Sequence, residues 1–290
     1  MSTCWFVGLT TLDVVHRATG RPGSDEKVTA VRQDVAAGGP AANAAVTAAA
    51  LGVRAVLVTA LGDGPVAMAA RSDLAAHGVE VHDVVGGQAF PLAVSAVLVD
   101  DATGERSVVS ADAALADAPA PGNLPQLPTP ELVLLDGHHP AIARAVVEHL
   151  DTLDRRPPVV LDAGRWRELF AELLPTADVA ALSADFAVPG HDDGAAGARA
   201  LGAGAVVVTH GGEPVEWFGP EGSGTVDVPQ AEVRDTLGAG DAFHGALAAA
   251  LAGGAALSEA CATAARVAST RVAHVGPRAW LAEVPAEVRR

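Results

Sequence analysis

The 290-residue chain has no tyrosine, a single lysine and two cysteines, and only 3% of its residues are aromatic. Each scarcity closes a class of function. A stacking platform for single-stranded nucleic acid has little to be built from. Lys27 follows Glu26 in a polar stretch, which excludes a Walker-type G-x-x-x-x-G-K loop, and the chain offers no better lysine for a Schiff base or a protein-kinase strand. Cys4 and Cys261 lie far apart without a C-x-x-C partner, so two buried, reduced thiols are expected. Basic residues number 19 against 35 acidic, a net charge of −16. Such a surface has no excess cations to displace counterions from nucleic acid or to hold anionic lipid. No basic stretch precedes the first apolar run, and no window approaches the roughly 18 apolar residues of a membrane span. These features predict a cytoplasmic protein with neither nucleic acid nor membrane as partner.

Half of the residues are apolar and 19% are charged, a globular balance. Short Val- and Leu-rich runs at 4–9, 55–60, 131–135, 159–162, 179–182 and 205–209 predict buried strands. Ala-rich segments at 40–51, 65–77, 142–150, 239–251 and 258–272 predict helices. Continuous apolar strands alternating with helices imply an α/β fold whose mostly parallel sheet is covered on both faces. Segments 11–37 and 88–112 break the rhythm. The second reads as a hairpin, 92–99 and 106–110 around the turn 101–104, and together the two segments are expected to form a small β lid on a single domain spanning 1–290. Five prolines between Pro119 and Pro130 predict an extended connector.

The segment from Asp235 to Leu247 carries the most chemistry. Gly238, Ala239 and Gly240 precede a helix marked by Phe243, Leu247 and Leu251, so their amides lie at a helix N-terminus, where the dipole adds about half a positive charge. Asp241, beside that anion site, is suited to take a proton from a hydroxyl attacking a phosphoryl group. Alone, the segment fits better a tight turn with an acid complementing the dipole. A second glycine-initiated helix shifts the balance: Gly38-Gly39-Pro40 opens it, and Asn43 falls one turn in.

The two segments together resemble the paired signatures of the ribokinase-like (PfkB) carbohydrate kinases, G-G-x-x-x-N-x-A and D-T-x-G-A-G-D-x-F, in the same order over essentially the whole chain. Gly104-Glu105-Arg106 and the run 243–248 look similar to kinases of ketose-type sugars such as ketohexokinase and sulfofructose kinase. The resemblance implies transfer of the γ-phosphoryl group of ATP, with Mg²⁺, to a hydroxyl of a small sugar, a terminal hydroxymethyl of a ketose or related carbohydrate. It makes Asp241 the catalytic base and Gly238, Ala239 and Gly240 the anion hole. It gives Asp13, Gly38, Gly39 and Asn43 to the sugar, and Thr209, Gly211 and Thr263 to the nucleotide. Asp235 matches a residue that in many members helps bind a monovalent cation, so K⁺ is a further candidate. Asp13 and Thr209 are expected at carboxyl ends of parallel strands.

The chain departs from the family pattern in places. Ser183-Ala184-Asp185-Phe186 lacks the glutamate of N-x-x-E, and Pro214 stands where a glycine is usual. The adjacent His138 and His139 are expected to lie on a polar surface loop and not to bind a metal. Alternatives are a nucleoside kinase, for which Phe90 is the one lid aromatic able to stack a base, and a non-catalytic sugar-binding protein. An NAD-dependent oxidoreductase is a third, from Gly62-Asp63-Gly64-Pro65-Val66-Ala67 with Asp83 downstream. Val94, Ala96 and Leu98 would form an apolar lid face that a second copy could cover, giving a homodimer.

Overall fold

The computed structural model describes residues 1–284. Thirteen strands and seven helices are formed by these residues: β1 Thr3–Val7, β2 Thr11–Ala18, β3 Arg32–Gly38, α1 Pro40–Ala50, β4 Arg54–Thr59, α2 Pro65–Ala76, β5 Val79–Asp83, β6 Val94–Asp100, β7 Arg106–Val109, β8 Leu132–Leu135, α3 Pro140–Leu150, β9 Val159–Ala163, α4 Phe170–Leu173, β10 Val179–Ser183, α5 Gly194–Ala200, β11 Ala205–His210, β12 Glu213–Gly219, β13 Gly222–Val226, α6 Ala239–Ala252 and α7 Leu257–Val272. All six expected strands and five expected helices form, with ends moved by a residue or two.

The main sheet has nine strands in the order β13-β12-β11-β10-β9-β8-β1-β4-β5. It is parallel from β11 through β5, and only the hairpin β12-β13 runs antiparallel. The central strands are continuous apolar runs because both faces are covered. In β1, Cys4 and Phe6 join a core with α1, α2, α6 and α7, while Trp5 and Val7 join a second core with α3, α4 and α5. Both cysteines are buried free thiols, as expected, with pKa values pushed up to about 12 by burial.

Strands β5, β12 and β13 were not legible as apolar runs. Each alternates polar and apolar residues at or near a sheet edge, where one face meets solvent. The connector carries only a three-residue 3₁₀ turn, Leu124–Gln126.

The two excursions form a separate four-stranded sheet in the order β3-β2-β6-β7. β2 and β6 run parallel, and β3 and β7 flank them antiparallel. One face, with Asp13, Val15, Ser95 and Val97, is covered by the body of the protein. The other carries a row formed by Val35, Val14, Ala96 and Val109 in register. This lid is pinned at its hairpin turn: Gly104 accepts from Thr236 N, and Arg17 donates to Arg234 O.

Helices α1 and α6 cross closely. A Cβ on Gly245 would lie 2.4 Å from Ala44 O and 2.8 Å from Thr47 Cβ, so the crossing admits only glycine. Two opposing effects meet there. Alanine is the better helix former by roughly 0.8–1.0 kcal/mol, whereas overpacking against a fixed backbone costs about 1–3 kcal/mol. Gly245→Ala should therefore lower the melting temperature despite its propensity. A variant that melts at or above the wild-type temperature would show that the helices can separate freely.

Candidate active site

The close crossing brings two helix starts together. Gly39, with φ of +95°, caps α1, and Gly238, with φ of +69°, caps α6. Neither capping residue supplies a side chain; at α1 Pro40 has no N–H and Ala41 N donates to Asp136, so the amides left open to the cleft between the main sheet and the lid are those at the start of α6. Gly38 ends β3 against the carboxyl group of Asp13, which lies where a Cβ on Gly38 would be, 2.2 Å from it. Side chains larger than hydrogen are excluded there by the acid itself.

A cleft of about 210 Å³ collects Asp13, Gly39, Asn43, Gly238, Gly240 and Asp241, together with Ser95, Ser110, Asp112 and Arg106 from the lid side. Asp13 sits within β2, inside the lid sheet, and not at the end of a main-sheet strand as the sequence suggested. The pattern of an apolar strand followed by a polar residue is the same in both cases, and only the chain's turn at Gly8 distinguishes them. Asp13 accepts from Thr11 Oγ1 at 2.7 Å, and its pKa is raised by burial, which outweighs its hydrogen bonds and Arg278.

Asn43 Nδ2 donates to Asp241 Oδ2 at 2.7 Å, across 198 residues of sequence. Its amide orientation is fixed from the other side, where Arg278 Nη1 donates to Asn43 Oδ1 at 3.1 Å. Arg278 is itself held by Asp73 and by Ala37 O. Asp241 has its pKa raised to about 6, first by burial and then by the neighbouring charge of Asp162; Asn43, His244 and Arg106 oppose the shift. That value suits a base working near neutral pH. His244, one turn further along α6, has Nδ1 2.9 Å from Asp162 Oδ2. Burial disfavours its charged form, but Asp162 outweighs burial and raises its pKa.

A second cavity, of about 370 Å³, lies on the other side of the α6 start. Thr209, Gly211 and Gly212 line one end, and Val215, Val228, Phe243, Ala265 and Ala268 make apolar walls. Gly240 and Arg106 line both cavities. A group bound in the second cavity could thus reach one bound in the first across the bare amides of the α6 terminus. Thr263 lines neither. The face of α7 toward the cavity is 265, 268, 269 and 272, and Thr263 falls off that stripe, its hydroxyl accepting from Arg266. Asp235, 1% exposed, accepts from Leu237 N and Gly276 N, and the guanidinium of Arg271 lies 3.4 Å from its Oδ1.

Other sequence expectations change. His138 and His139 are buried, not surface residues, because Asp136 draws the loop inward: it accepts from His138 N, Leu9 N and Ala41 N. Burial opposes its charge, but His138 and these amides hold its pKa down at about 2. Asp136 also fills the space beside Gly8, where a Cβ would be 1.9 Å from Oδ1. Asp83, the acid of the dinucleotide-like pattern, closes its own loop by accepting from Leu61 N and Gly62 N and pairing with Arg71. Phe90 lines a small neighbouring pocket with Leu92 and His139, which shares Leu9 and Asp112 with the cleft, but Phe90 itself does not line the cleft. Asp185 is exposed. Arg106 was noticed only within a lid triplet; Arg278, Asp162 and Arg271 carry no local signal, since their partners are distant in sequence.

The comparisons with known proteins agree with this geometry. The family model of the pfkB family carbohydrate kinases matches residues 1–283. An ATP-dependent ribose-1-phosphate kinase of Halopiger xanaduensis is 31% identical over 244 residues, covering 80% of this chain and 78% of that protein. The Arabidopsis thaliana ribokinase solved with ribose and ATP superposes with a TM-score of 0.71 at 22% identity, over 100% of this chain and 98% of that one. The adenosine kinase of Sinorhizobium meliloti gives 0.77 at 20% identity, over 97% of each chain. A cleft in which Asp241 meets bare helix amides, with an apolar cavity behind them and a family match over nearly the full length, identifies the chain as a member of the PfkB family of carbohydrate kinases, a phosphotransferase acting on a sugar hydroxyl.

Proposed function

We propose that the acceptor is a small neutral sugar, a ketose or related carbohydrate, phosphorylated on a terminal hydroxymethyl group. The observation that supports this reading is the shared wall of the two cavities: Asp241 faces the acceptor cleft, and Gly240 faces both. In the acceptor cleft Asp13, Asn43, Ser95 and Ser110 offer hydrogen bonds to hydroxyl groups. No Tyr, Trp or Phe lines it, which favours a sugar over a nucleoside base. Three carboxylates, Asp13, Asp112 and Asp241, line the cleft with one guanidinium, Arg106, a balance better suited to an uncharged acceptor than to an anionic one.

In this reading Asp241 removes the proton of the attacking hydroxyl, and Asn43 holds its carboxylate toward that oxygen. The α6 amides, with Arg106 beside them, receive the charge spreading over the transferred group. The apolar walls fit a purine ring, and bound ATP supplies the phosphoryl group. Among the described residues no group of three His, Cys, Asp or Glu side chains converges as a metal cage. Magnesium commonly rides on substrate phosphates with several waters, so it enters here with the nucleotide. Asp241, at the start of α6, is the carboxylate nearest that path. The lid excludes water above the reacting groups. We further propose that a second copy of the chain covers the outer lid face, where Val35 is 54% exposed, Val94 45% and Val109 76%.

The reading is tested by an ADP-release assay offering fructose, ribose, ribose 1-phosphate and adenosine in parallel. A neutral sugar should be turned over best, and preference for ribose 1-phosphate or adenosine would reassign the acceptor. Asp241→Asn should keep sugar binding, measured by calorimetry, while turnover falls by about 10²–10⁴-fold. Normal turnover would remove Asp241 from the mechanism.

Asp241 also sets two opposite pH dependences. Turnover over KM should rise with pH and level off above about 6, where the base is free. Stability responds in the other sense. The folded carboxyl keeps its proton up to about 6, whereas the unfolded one gives it up near 3.8, so this group's contribution to stability is lost as pH rises through that interval. At pH 7 Asp241→Asn should therefore melt above the wild type in a thermal scan, and a lower melting point would contradict a raised pKa.

Light scattering checks the lid face. The wild type should have the mass of a dimer, and Val35→Asp combined with Val109→Asp that of a monomer. A monomeric wild type would end that part of the proposal.

A further inference from the structure

The family resemblance makes Asp235 a candidate for binding a monovalent cation. Here the oxygens around Asp235 are already taken by a cation that belongs to the chain. Arg271, in the last turn of α7, is 2% exposed. Its Nη1 donates to His274 O at 2.9 Å and to Asp235 O at 3.4 Å, and its Nη2 lies 3.4 Å from Asp235 Oδ1. Two backbone carbonyls and a carboxylate are the ligands a potassium ion would seek. A second positive charge placed among them would meet a guanidinium held in a region of low dielectric, where like charges repel strongly. Arginine retains its charge in such surroundings. The residues present therefore do not fit a monovalent cation at Asp235.

We infer that Arg271 is a built-in replacement for the monovalent cation, and that this kinase works without potassium. The guanidinium neutralises Asp235, whose carboxylate shapes the turn from Asp235 to Gly238 by accepting from Leu237 N. That turn delivers the amides of α6. Unneutralised, Asp235 would put a buried negative charge behind the site that must receive a phosphoryl group. Arg271 is thus a positioning residue: it acts on the anion hole through Asp235 and through Gly276, whose amide binds the other carboxylate oxygen. The inference rests on the kinase reading only for its activity measurement.

The test uses the full chain exchanged into choline chloride and compared at equal ionic strength in KCl. Two quantities are read: the melting temperature, and ADP release with the best acceptor. The wild type should show no potassium-specific rise in either. Arg271→Ala should lose turnover and lower the melting temperature, and potassium, ammonium or millimolar guanidinium should restore both in part. Arg271→Lys, which keeps a charge but not the fork, should fall between them. A wild type whose melting temperature or turnover rises specifically with potassium overturns the inference. So does a folded Arg271→Ala that is as active as wild type and blind to every added cation. If Arg271→Ala does not fold, the wild-type comparison and Arg271→Lys decide alone. Should no acceptor be turned over, the melting arm still judges the cation site, separately from the proposed function.

Discussion

The close crossing of α1 and α6 is the constraint on which the site depends. Gly245 packs directly on Ala44 O and Thr47, and small side chains such as Ala41, Ala45, Ala242 and Ala246 are buried in the same core. Small residues let two backbones approach until their N-terminal turns lie side by side. Only then can Asn43 Nδ2 reach Asp241 Oδ2 at 2.7 Å, and only then does Asn43 share one cleft with the open start of α6. The alanine richness that looked like a mere helix preference in the sequence is, in three dimensions, the means of bringing two functional termini together.

Two carboxylates, Asp136 buried and Asp241 half-buried at the cleft, show how the same group is directed to opposite ends. Asp136 accepts from three backbone amides and faces His138, so its charge is stabilised and its pKa stays at about 2. It cannot take up a proton near neutral pH, and its role is to hold the Leu9 turn against the start of α1. Asp241 has one amide donor, Asn43, and the like charge of Asp162 nearby, and its pKa rises to about 6. Donor count and the sign of the neighbouring charge separate the acid held charged from the one proposed as the base.

The architecture was largely legible because parallel strands covered on both faces announce themselves as continuous apolar runs, and each glycine-proline helix start as a break between them. β5 at a sheet edge and β12 beside the other edge were not, since most of their residues are only partly covered. Of the candidate site residues, those in the short, glycine-marked segments Gly238 to Asp241 and Gly38 to Asn43 carry local signals, and the fold brings both segments to one cleft. Asp13 was found as a residue but placed on the wrong strand type. Arg271 and Arg278 were missed because an arginine in a helix or a terminal loop is ordinarily a solvated charge. Their partners, Asp235 and Asn43, are brought to them only by the tertiary fold. Thr263 illustrates the converse, a position inherited from a pattern whose helix face turns elsewhere in this chain.

Arg106 ties the lid to the chemistry. It is the first residue of β7, lines both the acceptor cleft and the nucleotide-side cavity, and donates through Nη1 to Thr236 O and Oγ1. Thr236 in turn donates to Gly104 O, two residues back in the lid turn. A Cβ on Gly104 would lie 2.7 Å from Arg234 O, so the turn must be glycine for the lid to seat on this segment. The contacts that seat the lid are therefore the same contacts that place a guanidinium beside the α6 amides. A lid lifted from Thr236 would remove both the cover over the acceptor and one positive group from the phosphoryl path. Water exclusion and completion of the anion site are thereby coupled through a single side chain, without any separate signal between the two sheets.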